Sequence, residues 1–289
     1  MLLQLDQSFD ELALSEETID SCQADGSSVG EFLENVRDKI TSRVDTVRLT
    51  KNLPTVLFVI SSGAGVVGEA NRIRRAKHLH LKADELLAYS PKSEAGKYWK
   101  ARLNDPNHHL AYITTLFQAK LVTMGPSSVV HSALEYGDAP LQAMAKTAGV
   151  TKNSANAGTT FRSTDFHKFL TATNEFELTS TSKGTVSPAV RSAYKAIQAA
   201  SAKRHKAINQ SICALAQKQV PEFHADLGRF EVDLGDANAF ADAVISLAGD
   251  DLHLEFHHLS EAHCKASSMS SYVMNKLQTY ALHYNLIPR

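Results

Sequence analysis

Residues 53–77 read LPTVLFVISSGAGVVGEANRIRRAK, and how they fold decides the class of the whole chain. Val56 to Ile60 is an unbroken apolar run, Ser61 to Gly65 is built of small residues, and Arg72, Arg74, Arg75 and Lys77 place four cations within six positions. In one reading the run is a buried strand, Gly63, Gly65 and Gly68 form a G-x-G-x-x-G turn, and the next helix offers its N-terminal N–H groups to a phosphate. That motif also requires an acidic residue about twenty positions on, carried by a second strand. Asp84 and Glu85 stand near that distance, but KADELLAY around them reads as helix. In the other reading the stretch is one buried helix entered through Pro54, with Ser61 to Gly65 letting a neighbouring helix approach closely. Each glycine then costs that helix roughly 1 kcal/mol relative to alanine and needs tertiary support.

Outward from this segment, helical patterns dominate. Residues 8–20 and 27–43 each read as helix, the second with Phe32, Leu33, Val36 and Ile40 on an apolar face and Ser27 or Ser28 as N-cap. His78 to Tyr89, GKYWKARL and HHLAYITTLFQAKLVTM (108–124) continue in the same way. Trp99 is expected in the core, and Ile113, Leu116, Phe117 and Leu121 form an apolar face. SSVVHSALEY and PLQAMAKTAG are two further short helices with Pro126 and Pro140 near their starts. TKNSANAGTT, residues 151–160, lacks an apolar period and marks a boundary, read either as a surface linker or as a loop closing over a bound strand.

Beyond it, residues 176–188 form the best β-hairpin candidate, and Ser187 to Gln219 reads as one long helix or two joined by a kink. RFEVDLGD (229–236) reads as a short strand, ANAFADAVISLAGD (237–250) as a helix, and residues 260–285 as the closing helix. The expected fold is therefore mainly α: an acidic arm over residues 1–35, a helical lobe over 36–150 and a second over 151–289, with at most a few short strands or one small hairpin.

The net charge of −1 conceals a block pattern. Residues 1–35 hold nine acids and no Lys or Arg, residues 36–220 hold 26 Lys and Arg against 12 Asp and Glu, and residues 222–263 hold ten acids and only Arg229. Acidic ends flanking a basic middle fit either internal pairing, within one copy or between copies, or a surface for a polyanion. Three cysteines, Cys22, Cys213 and Cys264, supply neither a disulfide framework nor a C-x-x-C motif, so a reducing compartment is expected. No basic-then-apolar leader is seen at the N-terminus and no apolar run reaches the roughly 18 to 20 residues of a membrane span. The expectation is an intracellular, non-secreted protein, cytoplasmic or packaged in a virus particle.

Chemical motifs are sparse. In LHLEFHHLSEAHC (252–264), a helix would put His253 and His257 on one face, as for zinc, whereas a strand would align His253, Glu255 and His257. Neither arrangement is H-E-x-x-H, and there is no G-x-S-x-G elbow or G-x-x-x-x-G-K-[ST] loop, so no catalytic residue, metal or cofactor is assigned.

In layout alone, an acidic N-terminal arm, two helical lobes and a basic middle resemble the nucleoproteins and coat proteins that wrap viral RNA. That resemblance implies a self-assembling homo-oligomer that coats nucleic acid, RNA in preference to DNA, without reading its sequence. Arg72, Arg74, Arg75, Lys77, Arg162, Lys168, Lys203, Arg204 and Lys206 would neutralise phosphates. The rival expectations are a nucleotide- or dinucleotide-binding enzyme using Gly63, Gly65 and Gly68, and a helical scaffold or shell that assembles without nucleic acid.

Overall fold

In the computed structural model, residues 16–63, 65–75, 78–105, 108–171, 186–220, 229–234, 240–247 and 250–288 are described. The chain opens with helices α1 (Glu16–Ala24) and α2 (Val29–Lys51). Ser28 caps α2 by accepting the Glu31 N–H, and Glu31 in turn accepts the Ser27 N–H at 2.8 Å. This reciprocal arrangement satisfies donors that a helix start leaves open. Then follow strand β1 (Thr55–Ser62), α3 (Val66–Ile73), α4 (Ala83–Tyr89), α5 (Glu94–Lys100), α6 (Leu110–Leu116) and strand β2 (Lys120–Met124). Helices α7 (Pro126–Tyr136), α8 (Ala139–Thr147), α9 (Ser154–Arg162), α10 (Asp165–Thr171) and α11 (Pro188–Gln219) lead to strands β3 (Phe230–Asp233), β4 (Phe240–Leu247) and β5 (Asp250–Leu259). A 3-10 turn (Glu261–His263) and helix α12 (Ala266–His283) close the chain.

The five strands form one mixed sheet in the order β2-β1-β5-β4-β3. β1 is parallel to both neighbours, with Val59 opposite Val122 of β2 and Phe256 of β5, while β4 runs antiparallel to β5 and to β3. This is an α/β fold, and it overturns the expectation of a mainly α protein with a few short strands. The deciding stretch is a strand: Val56 to Ile60 are each at most 1% exposed. A parallel strand covered on both faces reads as a continuous apolar run, because it has no solvent face to demand alternation. The one-buried-helix reading of residues 53–77 falls with it.

Two further helical expectations are corrected for a related reason. HHLAYITTLFQAKLVTM stops being helix at Leu116, turns through Gln118 at φ +43° and continues as β2. ANAFADAVISLAGD contains β4, whose Ala241, Ala243, Val244 and Ile245 are all buried. Phe240 and Val244 also match a helical spacing, so the partners on either side, β3 and β5, settle the period. RFEVDLGD does supply strand β3, and the long helix α11 is kinked at Arg204 (φ −132°, ψ 17°). Residues 154–162 of the polar stretch form α9, capped by the Asn153 side chain. The hairpin expected over residues 176–188 lies outside the described residues except for its last three positions.

The chain divides into two compact units. One gathers α1, α2, α4, α5, α6 and α12 from Ser270 onward. In it Trp99 is fully buried and donates its indole N–H to the Met274 carbonyl at 3.0 Å, and Phe117 packs edge-on against Tyr280. The other holds the whole sheet with α3 and α7 to α11. Its core sets Leu57, Val59, Val122, Leu254 and Phe256 of the sheet against Val129, Ala133, Ile197 and Ile212 of α7 and α11. No described helix is long and apolar enough to cross a membrane.

Candidate functional site

Both β1 and β2 end in a tight turn that opens a helix at the carboxyl edge of the parallel strands. After β1 the chain turns through Gly65 in the left-handed region (φ +70°), and α3 begins at Val66 with no side-chain cap. After β2 it turns through Gly125, and α7 begins with Pro126 at its first position, again with no side-chain cap. Proline removes one of the open N–H groups of a helix start, and glycine caps supply no acceptor for the others. Ligands of α/β sheets bind outside the carboxyl ends of the strands, where such N–H groups point.

A cleft of about 260 Å³ lies there, within the sheet-bearing unit. Val66 and Val67 of α3 line it together with Thr123 of β2 and Gly125, Pro126, Ser127 and Ser128 at the start of α7. Thr160, Ser163, Thr164, Asp165 and Val186 complete the wall. The polar lining is thus mainly hydroxyl groups, with one carboxylate.

That carboxylate is held from one side. Asp165 Oδ2 accepts from Arg74 Nη2 at 2.8 Å and from Thr123 Oγ1 at 2.5 Å, and Asp165 is 1% exposed. Arg74, also 1% exposed, spends its other donors on the Leu121 carbonyl at 2.9 Å and Asn71 Oδ1 at 3.0 Å. Burial pulls the guanidinium below its usual pKa while Asp165 pushes it back up. Asp165 Oδ1 and Ser128 Oγ, both buried, have no hydrogen-bond partner among the described residues. Tyr98 OH and Ser270 Oγ are in the same state elsewhere, but Asp165 and Ser128 line one cleft, where a ligand would satisfy them.

A second polar cluster sits under α11. Ser61 Oγ lies 2.8 Å from His258 Nδ1, and His258 Nε2 lies 3.1 Å from Asn209 Oδ1. With the Asn209 oxygen as acceptor, Nε2 carries the proton and Nδ1 accepts from Ser61. Tyr194 places its hydroxyl 3.0 Å from Ser61 Oγ and donates to the Leu259 carbonyl at 3.1 Å. The order serine, histidine, asparagine imitates a nucleophile with its base and orienter. Ser61 is only 1% exposed and covered by Tyr194, so the cluster anchors α11 to β1 and β5 rather than meeting a substrate.

The cations singled out in the sequence do not form one group. Arg74 is buried against Asp165, Arg72 is exposed beside Glu69 at 3.5 Å, and Arg75 is half-buried. Arg204 pairs with Asp138 at 2.6 Å and Lys206 with Glu231 at 3.5 Å. Arg162 is exposed and bonds Gln219 at 2.7 Å, Lys168 is half-buried, Lys203 is exposed, and Lys77 lies outside the described residues. Of Gly63, Gly65 and Gly68, only Gly65 is required by its backbone. A Cβ on Gly63 would meet the Glu261 side chain at 2.8 Å, and one on Gly68 would meet nothing within 4 Å. The close helix–strand approach that gives the third glycine its role in a dinucleotide fingerprint is thus missing. Asp84 and Glu85 occupy the first turn of α4, not a strand end. His253, Glu255 and His257 do share one face of β5, and no three His, Cys, Asp or Glu side chains among the described residues are placed to hold a metal ion.

Asp165, Thr123, Ser128 and Thr160 were not singled out by sequence reasoning. The available signal was VTM-GPSS, which repeats the strand, glycine, helix order of VISS-GAG-VV. Set against known protein families, curated proteins and solved structures, the chain matches none.

Proposed function

We propose that this protein binds a small phosphate-bearing molecule in the cleft between the N-termini of α3 and α7. The observation that carries the reading is that two helix starts without side-chain caps, following adjacent parallel strands, open on one hydroxyl-lined cleft whose Ser128 Oγ is buried and unpartnered. Their N–H groups and partial positive charge would receive the anion, and the Ser127 and Ser128 hydroxyls would supplement them. Calorimetric titration of the full chain with inorganic phosphate at constant ionic strength tests this. Saturable binding that weakens in Ser128→Ala supports the reading. Absence of any saturable phosphate binding refutes it.

A second reading is self-assembly with non-specific coating of nucleic acid. Its support is the basic middle of the sequence and the exposure of Arg72, Arg162 and Lys203. Light scattering with the 260/280 nm absorbance ratio, at low salt and at about 1 M salt, tests it, because phosphate contacts weaken steeply with salt. A large particle that sheds nucleic acid at high salt supports coating, and a small species free of nucleic acid at both salts removes it.

A further inference from the structure

We infer that Asp165 selects the ligand of this cleft, and that the ligand is a small polyol or sugar phosphate rather than free phosphate or a dinucleotide. The inference rests on the reading that the cleft binds phosphate.

Three features of the site lead to it. Arg74 and Thr123 hold the carboxylate of this cleft-lining residue through Oδ2 alone, so Oδ1 is left without a partner among the described residues. A buried acceptor of this kind discriminates strongly against a ligand that brings it no donor. The guanidinium cancels the carboxylate charge at 2.8 Å, which favours a neutral hydroxyl over an ammonium group and lets a phosphate approach. Since Arg74 is buried and does not line the cleft, the phosphate falls to the helix starts and to Ser127, Ser128 and Thr160. The third feature is size. About 260 Å³ lies below the roughly 300 to 1,000 Å³ of sites that enclose drug-sized ligands. A phosphate ester of a few carbons fits this scale, and a dinucleotide exceeds it.

The test compares inorganic phosphate, n-propyl phosphate and glycerol 3-phosphate by calorimetry on the full chain, at a pH where both esters are dianions. The two esters share a three-carbon chain and differ only in hydroxyl groups. Glycerol 3-phosphate is expected to bind at least about tenfold more tightly than n-propyl phosphate. In Asp165→Asn the gap should narrow, because the amide oxygen stays with Arg74 and Thr123 and a ligand hydroxyl then meets a neutral amide N–H in place of the carboxylate oxygen, whose charge-assisted bond is the stronger. Ser128→Ala should weaken all three ligands by similar factors. Equal affinity of the two esters for the native chain overturns the inference and leaves phosphate binding standing, as does an undiminished gap in folded Asp165→Asn. If none of the three ligands binds, both readings fail. Should Asp165→Asn fail to fold, equal affinity of the two esters for the native chain still overturns the inference.

Discussion

Arg74 and Asp165, ninety-one positions apart, form a 2.8 Å ion pair whose side chains are both wholly excluded from solvent. The pair ties the end of α3 to the start of α10, and Asp165 lines the candidate cleft. Each of the three guanidinium nitrogens of Arg74 donates a hydrogen bond, to Asn71, Leu121 and Asp165. On the anionic side Asp165 Oδ1 has no hydrogen-bond partner among the described residues.

Removing one partner of such a pair strands the other charge in the interior. Arg74→Ala should therefore destabilise the protein by about 3–5 kcal/mol. Arg72→Ala, two residues away on an exposed pair with Glu69, should cost at most about 1 kcal/mol. Urea unfolding of the two variants checks the contrast. Similar costs for both would mean that Arg74 is not the buried anchor described above.

Gly65 separates backbone strain from packing, since a Cβ there would touch nothing within 4 Å while φ is +70°. Gly65→Asn should be tolerated within about 1 kcal/mol, because asparagine visits the left-handed region readily, and Gly65→Val should cost about 1–3 kcal/mol. Thermal denaturation of the two variants provides the comparison. Equal destabilisation would point to a steric cause instead.

The unpartnered hydroxyl of Ser128 implies opposite effects on stability and binding. Ser128→Ala deletes a buried polar atom that makes no bond, so the ligand-free protein should be unchanged or up to about 1 kcal/mol more stable. Phosphate affinity should fall at the same time. A marked loss of stability without phosphate would show that the hydroxyl has a structural partner.

Two histidines set a pH dependence. Burial, with His257 and His205 nearby, pushes His258 down to about 3, and burial with Lys120, His78 and Arg75 pushes His80 down to about 4. Both groups thus bind a proton less readily in the folded chain than at the ordinary value of 6.5. Their contribution to stability is complete above about pH 6.5 and is lost as pH falls through 4 and then 3, at up to about 1.4 kcal/mol per pH unit for each group. His258→Gln should lower stability at pH 7 yet flatten its decline between pH 6 and 4, as followed by urea midpoints. An unaltered slope would exclude His258 as a contributor.

The sequence by itself determined the local pieces. The Val56 to Ile60 run, the small residues after it and the glycine that only a left-handed turn requires are written in consecutive positions. So are a cap at Ser27 or Ser28, a helical segment over 187–219, straight or kinked, and the short β3; the structure chose Ser28 and the kink at Arg204. Tertiary structure decided which of two legible patterns prevailed. β2 and β4 carry spacings that suit a helix; β2 became a strand because β1 supplies hydrogen-bond partners remote in sequence, and β4 because its chain neighbours β3 and β5 pair with it on either side. Helical bonds close within four residues and can be read from a window, whereas sheet bonds close across the chain. The same distance hid the cleft, which joins Val66, Thr123, Ser128, Thr160 and Asp165 only after folding. Burial, too, is a property of the folded chain. In the sequence Arg74 is one cation among four, and its neutralisation by Asp165 exists only where the fold brings α3 and α10 together.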